Sequence, residues 1–181
     1  MSQHPIRTLS SRSVYQNKWL TLREDKIQRQ SGRDGLYTVV EKPDFAIIIP
    51  VHEGMVTMVE QFRYPIGERQ LEFPQGAWEE KPDARPEDLA AGELKEETGL
   101  VAGTLTHVAF QYLAYGFCNQ GYHIFVANEL TQHAREPDQE EEDLIVHQVA
   151  VDELERMILD GSVKDATTCN AFGQARLRGL I

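Results

Sequence analysis

The stretch GAWEEKPDARPEDLAAGELKEETGL, residues 76–100, decides the fold. Its second half has helical character. Pro86 suits the first position of a helix, and Glu87 and Asp88 complement the positive helix start. Gly99 is well placed to end the helix. The pattern therefore predicts a helix that begins at Pro86 and stops at Gly99.

Three glutamates of this helix stand close together. Glu93, Glu96 and Glu97 are spaced i, i+3 and i+4, so they share one side of a helix. Neighbouring like charges on an exposed helix repel by about 0.2–0.5 kcal/mol a pair, and a hard divalent cation with oxygen ligands would offset that repulsion. The alternative is a solvated acidic helix face, which is the usual meaning of such a pattern.

The charge of the chain is concentrated in two segments. The formal net charge is −11, of which residues 76–100 carry −5 and residues 136–143 (EPDQEEED) carry −6. The rest of the chain is balanced. This distribution suits a protein that holds cations, and it argues against non-specific nucleic-acid binding, which depends on basic surface.

Alternating apolar stretches on both sides of the helix indicate β-strands. Residues 13–41 indicate antiparallel strands, and FAIIIPVHEGMVTMVEQFR (45–63) indicates a hairpin that turns at His52-Glu53-Gly54. Two further helices are predicted at 151–159 and 165–179. The order of strands, helix, strands and helices predicts an α+β fold with a mixed sheet.

The length bounds the domain organisation. A chain of 181 residues fits one domain with an appended segment. We expect a strand extension over residues 1–42 and a main domain over 43–181. No membrane-spanning run and no apolar leader are visible in the sequence, and the expected location is the cytoplasm.

Residues 76–100 resemble the Nudix box, which runs Gly, five residues, Glu, seven residues, then Arg-Glu-apolar-x-Glu-Glu-x-Gly-apolar. The stretch from Glu93 to Leu100 matches its second half, and Glu-Phe-Pro-Gln-Gly (72–76) resembles the strand and turn before it. There are two departures. The loop after Gly76 is longer by two residues and lacks the motif's first Glu, and Gly92 stands where the motif has Arg. In the family that Arg braces the loop and orients the glutamates. Glycine in a helix interior costs about 1 kcal/mol against alanine, so close backbone packing at Gly92 is expected.

The resemblance implies a Nudix-type α/β/α sandwich with a mixed sheet, plus an antiparallel N-terminal extension that builds a homodimer. It implies Mg²⁺, with Mn²⁺ as a substitute, held by Glu93, Glu97 and Glu96 and by the carbonyl of Gln75. The implied activity is hydrolysis of the pyrophosphate bond of nucleoside diphosphate sugars such as ADP-ribose.

Markers outside the box resemble the ADP-ribose pyrophosphatase branch of the family. In that branch a Glu-rich loop precedes Asp-apolar-x-Val-His, as residues 142–147 do here, which makes Glu142, Glu140 and Glu141 candidates for the general base. Arg63, in Gln-Phe-Arg-Tyr, resembles a phosphate-binding arginine, and GSVKDATT (161–168) resembles the ending of that branch. A solvated acidic loop and a surface ion pair at Arg63 are the simpler alternatives.

Other functions stay open at this point. The chain could hydrolyse nucleoside triphosphates, dinucleoside polyphosphates or RNA 5′ ends, or it could be a ligand-binding Nudix module with a weakened box. His107, His123 and His147 lack zinc-site spacing and are expected to be packed or hydrogen-bonded residues. Trp78 could stack on a nucleobase or cover the core.

Overall fold

The computed structural model describes residues 4–81, 83–135 and 142–181. The chain divides into two compact units. The first contains the residues up to Asp44 together with Tyr112–Gly121, and the second contains Phe45–Gln111 and Tyr122–Ile181.

The first unit is built on a three-stranded antiparallel sheet. Its strands are β1 (Ile6–Gln16), β2 (Thr21–Arg29) and β3 (Asp34–Glu41), and β2 lies between the other two. The 112–121 segment joins β3 through the backbone of Val40, whose N–H donates to the Phe117 carbonyl at 2.8 Å. The predicted antiparallel N-terminal extension is confirmed.

The second unit contains a seven-stranded mixed sheet. Its central strand β4 runs parallel to β9 and antiparallel to β5, and the main order is β10-β5-β4-β9-β8. Short strands β6 and β7 pair with β5 and β4 respectively. The strands are β4 (Phe45–His52), β5 (Met55–Arg63), β6 (Glu68–Glu72), β7 (Gln75–Gly76), β8 (Leu100–Tyr112), β9 (Gly121–Gln132) and β10 (Ile145–Ala150).

The β4–β5 hairpin turns where the sequence predicts. Val51 pairs with Val56 and His52 with Met55, which leaves Glu53 and Gly54 in the turn. Both turn residues have positive φ, 48° and 76°. Two such residues match the right-handed twist of the flanking strands.

In the described part of the chain, three helices cover the two faces of this sheet: α1 (Pro86–Thr98), α2 (Val151–Leu159) and α3 (Ala166–Leu177). The side chains of β4 alternate between the two faces of the sheet. Because helices cover both faces, the strand is buried on both sides. Ala46 and Ile48 pack in a cluster with Leu94 of α1. On the other face a second cluster combines β4, α2 and α3, with Phe45, Ile47, Ile49, Leu154 and Phe172 among its members. The second unit is thus the predicted α/β/α sandwich.

Helix α1 begins and ends as predicted. Pro86 is its first residue, and Gly99 follows it in the left-handed conformation with φ 75°. The Gly99 N–H donates to the Lys95 carbonyl at 2.8 Å, which satisfies an otherwise unpaired carbonyl of the last turn. No helix within the described ranges is long and apolar enough to cross a membrane.

Candidate active site

The site is centred on two buried carboxylates of α1. Glu93 is 5% exposed and Glu97 is fully buried, one turn further along the helix. Both lie against the turn that leads into the box. The Gln75 backbone N–H donates to Glu97 Oε2 at 3.1 Å, and a Cβ added to Gly76 would overlap Glu93 Oε2 and lie 2.6 Å from its Cδ. Gly76 is therefore needed for the close approach of the Glu93 carboxylate to the backbone.

The donor set at this point suits a divalent cation. Ionised carboxylates are expensive to bury without a compensating charge, and Mg²⁺ and Ca²⁺ prefer oxygen ligands. Glu96 is half-buried beside the pair in sequence. Among the residues that the structure describes, no three His, Cys, Asp or Glu side chains are clustered as a complete metal site. The carboxylate oxygens present are of the type that binds such an ion. They form a partial ligand set, which other oxygen atoms would have to complete.

Arg63 is half-buried and forms an ion pair with the buried Glu72. Its Nε and Nη2 donate to the two carboxylate oxygens of Glu72 at 2.8 and 2.7 Å, a bidentate arrangement. The Glu72 side chain is 2% exposed, whereas that of Arg63 is 40% exposed. Burial raises the pKa of Glu72 above its ordinary value, and the opposing effect of Arg63 does not cancel this shift.

Gln75 connects this ion pair to helix α3. Its Nε2 donates to Glu72 Oε2 at 2.8 Å and to Asp165 Oδ2 at 3.3 Å, and its Oε1 accepts from the Thr167 hydroxyl at 2.9 Å. Glu97 and Asp165 both act electrostatically on Arg63. Residues from β5, β6, β7, α1 and the start of α3 therefore form one polar network.

Asp165 is the N-cap of α3. Its Oδ2 accepts from the Thr168 backbone N–H at 2.8 Å and from the Thr167 hydroxyl at 2.6 Å. Burial acts to raise the pKa of Asp165, but the hydrogen bonds from Thr167 and Thr168 outweigh it and hold the pKa below its ordinary value. The Thr168 hydroxyl in turn accepts from the Phe73 backbone N–H at 2.9 Å. The GSVKDATT marker thus anchors α3 to the segment between β6 and β7 that leads into the box.

The candidate base residues lie in the second acidic segment. Glu140 and Glu141 lie outside the described residues. Glu142 is exposed in a turn directly before Asp143. Arg69 holds Asp143 by two bonds, from Nη1 to Oδ2 at 2.6 Å and from Nη2 to the backbone carbonyl at 2.9 Å.

Arg69 also binds strand β5. Its Nε donates to Glu60 Oε1 at 2.5 Å, and this hydrogen bond is the main reason why the pKa of Glu60 lies below its ordinary value. His147 Nε2 lies 3.1 Å from Glu60 Oε2. Arg135, the residue before the acidic segment, donates to the carbonyl of Leu144, the residue after it, at 3.3 and 3.4 Å. Two arginines therefore hold the chain where this segment ends.

The remaining candidates have packing roles. Trp78 lies on Gly92, where an added Cβ would overlap Cζ2 of the ring, and it packs against the α1 side of the core. The expected close packing at Gly92 is confirmed. His107 Nε2 lies 3.1 Å from His123 Nδ1, so the prediction of hydrogen-bonded histidines is confirmed for this pair and for His147.

Sequence reasoning missed four contributors: Glu72, Arg69, Arg135 and Asp165. Asp165 and Glu72 belong to short stretches that were singled out as family markers, so a signal existed for them. Arg69 and Arg135 form contacts across 74 and 9 positions of sequence, and no local pattern identifies them.

Comparisons with known proteins identify the class of protein that this fold and site define. The sequence profile of the NUDIX domain matches residues 42–168, and a profile described as the nucleoside diphosphate sugar hydrolase N-terminal domain matches residues 6–40. The chain belongs to the Nudix hydrolase family, in the branch that carries this N-terminal domain. Divalent metal ions are the general cofactors of that family.

Relatives refine the assignment. The chain is 30% identical over 178 residues to an ADP-ribose pyrophosphatase of Bacillus subtilis (strain 168), covering 97% of this chain and 95% of the relative. It is 29% identical over 165 residues to an ADP-ribose pyrophosphatase of Mycobacterium tuberculosis (strain ATCC 25618 / H37Rv), covering 90% and 79%. A methanol dehydrogenase activator of Bacillus methanolicus is 24% identical over 177 residues, covering 97% and 95%.

A solved structure supports the fold. The crystal structure of an ADP compounds hydrolase superimposes with a TM-score of 0.87 and covers 99% of this chain and 98% of its own, at 20% identity. The Nudix-type fold is thereby confirmed.

Proposed function

We propose that the protein hydrolyses the pyrophosphate bond of nucleoside diphosphate sugars, with ADP-ribose as the first substrate to test, and releases a nucleoside monophosphate and a sugar phosphate. The observation that carries this proposal is the pair of buried carboxylates, Glu93 and Glu97, held against Gln75 and Gly76 in a Nudix domain. The relatives named ADP-ribose pyrophosphatase support the choice of substrate.

The cofactor is proposed to be Mg²⁺, with Mn²⁺ as a substitute. Glu93, Glu97 and Glu96 and the Gln75 carbonyl would hold it. When bound, such an ion neutralises pyrophosphate charge and lowers the pKa of a water molecule, which makes hydrolysis feasible at neutral pH. Helix α1 packs against β4, and this packing holds the helix in place. The carboxylates that the helix carries therefore keep a fixed spacing.

Proton abstraction from water is assigned to a glutamate of the acidic segment, with Glu142 and Glu140 ahead of Glu141. Glu142 is exposed, and the residue after it is tied to the β5–β6 pair by Arg69. An exposed carboxylate can accept a proton from an activated water and return it to solvent.

Arg63 is proposed to contact a substrate phosphate. Two of its N–H groups hold Glu72, and the guanidinium carries further N–H donors in the same plane. The ion pair orients the guanidinium, so less conformational freedom is lost when a phosphate binds.

We further propose that residues 1–42 form a dimerisation element and that residues 43–181 form the catalytic domain. Several large apolar side chains of the three-stranded sheet are exposed, including Leu9, Leu36 and Tyr37. A hollow of about 490 Å³ beside them is lined mainly by apolar groups of Leu9, Ile27 and Leu36. Such a surface is typical of protein–protein contacts, and a second copy of this chain is the proposed occupant. The proposed location is the cytoplasm.

Light scattering tests the dimer. Leu36→Glu is expected to convert a dimer to a monomer, because it places a charge in the apolar surface. Gln30→Glu, in the exposed turn after β2, is the matched control and should leave the dimer intact. A wild-type protein that is monomeric at micromolar concentration would contradict the proposal.

A substrate panel tests the activity. The protein should be incubated with ADP-ribose, other nucleotide sugars, ATP, a dinucleoside polyphosphate and a 5′-triphosphorylated RNA, each with Mg²⁺, with Mn²⁺ and with EDTA. We expect metal-dependent cleavage with the highest kcat/KM for a nucleotide sugar. Cleavage of no nucleotide sugar, or a clear preference for triphosphates or RNA ends, would refute the substrate assignment.

A further inference from the structure

The position of the missing box arginine is covered by a tryptophan. Gly92 stands where the motif has Arg, and the Trp78 ring lies on the backbone of α1 at this point. A Cβ added to Gly92 would overlap Trp78 Cζ2 and lie 2.9 Å from Cη2 and 3.3 Å from Cε2. Only glycine leaves room for the ring in this position.

The contact joins two parts of the candidate site. Trp78 lies two residues after Gly76, and Gly92 is the residue before Glu93. Gly76 is itself packed against the Glu93 carboxylate. The loop is therefore fastened to α1 at two successive helix positions, once through the tryptophan ring and once through the glutamate.

The tryptophan is fixed on its other sides as well. Its ring packs against the cluster of α1 and β4 side chains that includes Leu89 and Leu94. Lys81 places its ammonium group 4.7 Å from the ring centroid, within the range of a cation–π contact. The Lys81 N–H donates to the Trp78 carbonyl at 3.0 Å, which closes the turn that begins at Trp78.

We propose that Trp78, seated on Gly92, is a positioning residue that braces the box loop on α1 in place of the motif arginine and holds Gly76 and Glu93 in register. This inference rests on the proposed function for its catalytic consequence. Its structural part, the mutual dependence of residues 78 and 92, stands apart from the substrate.

A double-mutant cycle of Gly92→Ala and Trp78→Ala tests the brace. Alanine favours a helix over glycine, so any loss in Gly92→Ala has to come from displacement of the ring. We expect Gly92→Ala to lower kcat about 10- to 100-fold with less than about a threefold change in KM, since a misplacement near 1 Å can cost that much. In the Trp78→Ala background the same change should cost less than about twofold, because the ring is no longer there to be displaced.

Direct Mn²⁺ binding without substrate supplies the second readout. Electron paramagnetic resonance titration should show about a tenfold weaker Mn²⁺ affinity in Gly92→Ala and in Trp78→Ala, because Glu93 lies beside the disturbed contact. Trp78→Phe keeps an aromatic ring and should retain activity and affinity within about threefold. Circular dichroism checks that each variant is folded, and Trp78→Phe maintains the test if Trp78→Ala does not fold.

Three results would overturn the proposal. The first is Gly92→Ala with unchanged kcat and Mn²⁺ affinity. The second is a double mutant whose losses multiply, which would make the two positions independent. The third is a Trp78→Ala variant that loses thermal stability but keeps its kcat and Mn²⁺ affinity, which would mean that Trp78 only packs in the core. If the wild-type protein cleaves no nucleotide, the proposed function is wrong. The Mn²⁺ titrations of the same variants still test whether Trp78 positions the loop on α1.

Discussion

Replacement of Arg63 by methionine should destabilise the protein through Glu72. The substitution removes both charge-assisted hydrogen bonds, at 2.8 and 2.7 Å, and leaves a carboxylate that is 2% exposed with Gln75 as its remaining described donor. Methionine is similar in length to the arginine stem, so the apolar packing is largely preserved. The main effect is therefore electrostatic.

The magnitude follows from the exposure of the two partners. Removing one member of a fully buried ion pair costs about 3–5 kcal/mol. Because the Arg63 side chain is 40% exposed, water screens part of the interaction, and we expect a loss of about 1–3 kcal/mol in the free energy of unfolding. For a domain of this size the loss corresponds to a fall in Tm of about 3–10 °C.

Urea unfolding at several pH values measures this loss. Burial raises the pKa of Glu72 in the folded protein. Protonated Glu72 therefore contributes stability that is fully present below the unfolded pKa and is lost as the pH rises through the folded pKa. Without Arg63, ionisation of Glu72 costs more stability. The difference in the free energy of unfolding between wild type and Arg63→Met should therefore be small near pH 4 and should widen toward pH 7.

Two controls separate this cause from others. Arg63→Met combined with Glu72→Gln should recover most of the stability at pH 7, because the Glu72 charge that Arg63→Met leaves without its ion-pair partner is removed. Arg85→Met removes an arginine from an exposed pair with Glu87 and should leave stability nearly unchanged, because water screens that pair. A pH-independent gap, or a double mutant as unstable as Arg63→Met, would refute the reasoning.

Further predictions concern the two anchors of the site and the candidate base. Asp165→Ala should lower the free energy of unfolding by about 0.5–2 kcal/mol, since it removes the α3 N-cap that accepts from Thr168. Because the folded pKa of Asp165 is lowered, its contribution to stability is present above the unfolded pKa and should vanish as the pH falls through the folded pKa. Thermal melts of wild type and Asp165→Ala at several pH values measure this. A loss of stability that persists in strong acid would contradict it. Arg69→Gln should lower kcat about 10-fold with a small change in Tm, because the turn at Asp143 loses its anchor, and unchanged kinetics would argue against that role. Glu142→Gln should lower kcat by about 10²–10⁴-fold with KM retained if Glu142 is the base, and full activity would transfer the assignment away from it.

The sequence predicted the helix α1 and its ends because the signals there are local. Pro86 at the start and Gly99 at the end act within one helical turn, and both appear where expected. The same holds for the β4–β5 hairpin, whose Glu53-Gly54 turn is a two-residue signal. The spacing placed Glu93, Glu96 and Glu97 on one side of the helix, and the resemblance to the Nudix box then favoured Glu93 and Glu97 as ligands.

The partners of those residues could not be predicted because they depend on tertiary packing. The sequence offered Arg63 either to a phosphate or to a surface ion pair, and the structure places it against a buried Glu72. For Trp78 the sequence could not choose between a ligand and the core, since only the approach of the loop to Gly92 decides. Arg69 meets Asp143 only because β6 and the end of the acidic segment both lie beside β5.

Release of AMP from ADP-ribose, measured by chromatography for wild type, Glu97→Gln and Glu87→Gln, tests the buried carboxylate pair most directly. Glu87, in the first turn of the same helix, carries an exposed carboxylate and provides the matched control. We expect wild type and Glu87→Gln to release AMP and ribose 5-phosphate in equal amounts only when Mg²⁺ or Mn²⁺ is present. Glu97→Gln should be slower by at least about a hundredfold, because it removes a charged oxygen ligand. Hydrolysis that survives intact in Glu97→Gln, or that proceeds in EDTA, would contradict the assignment.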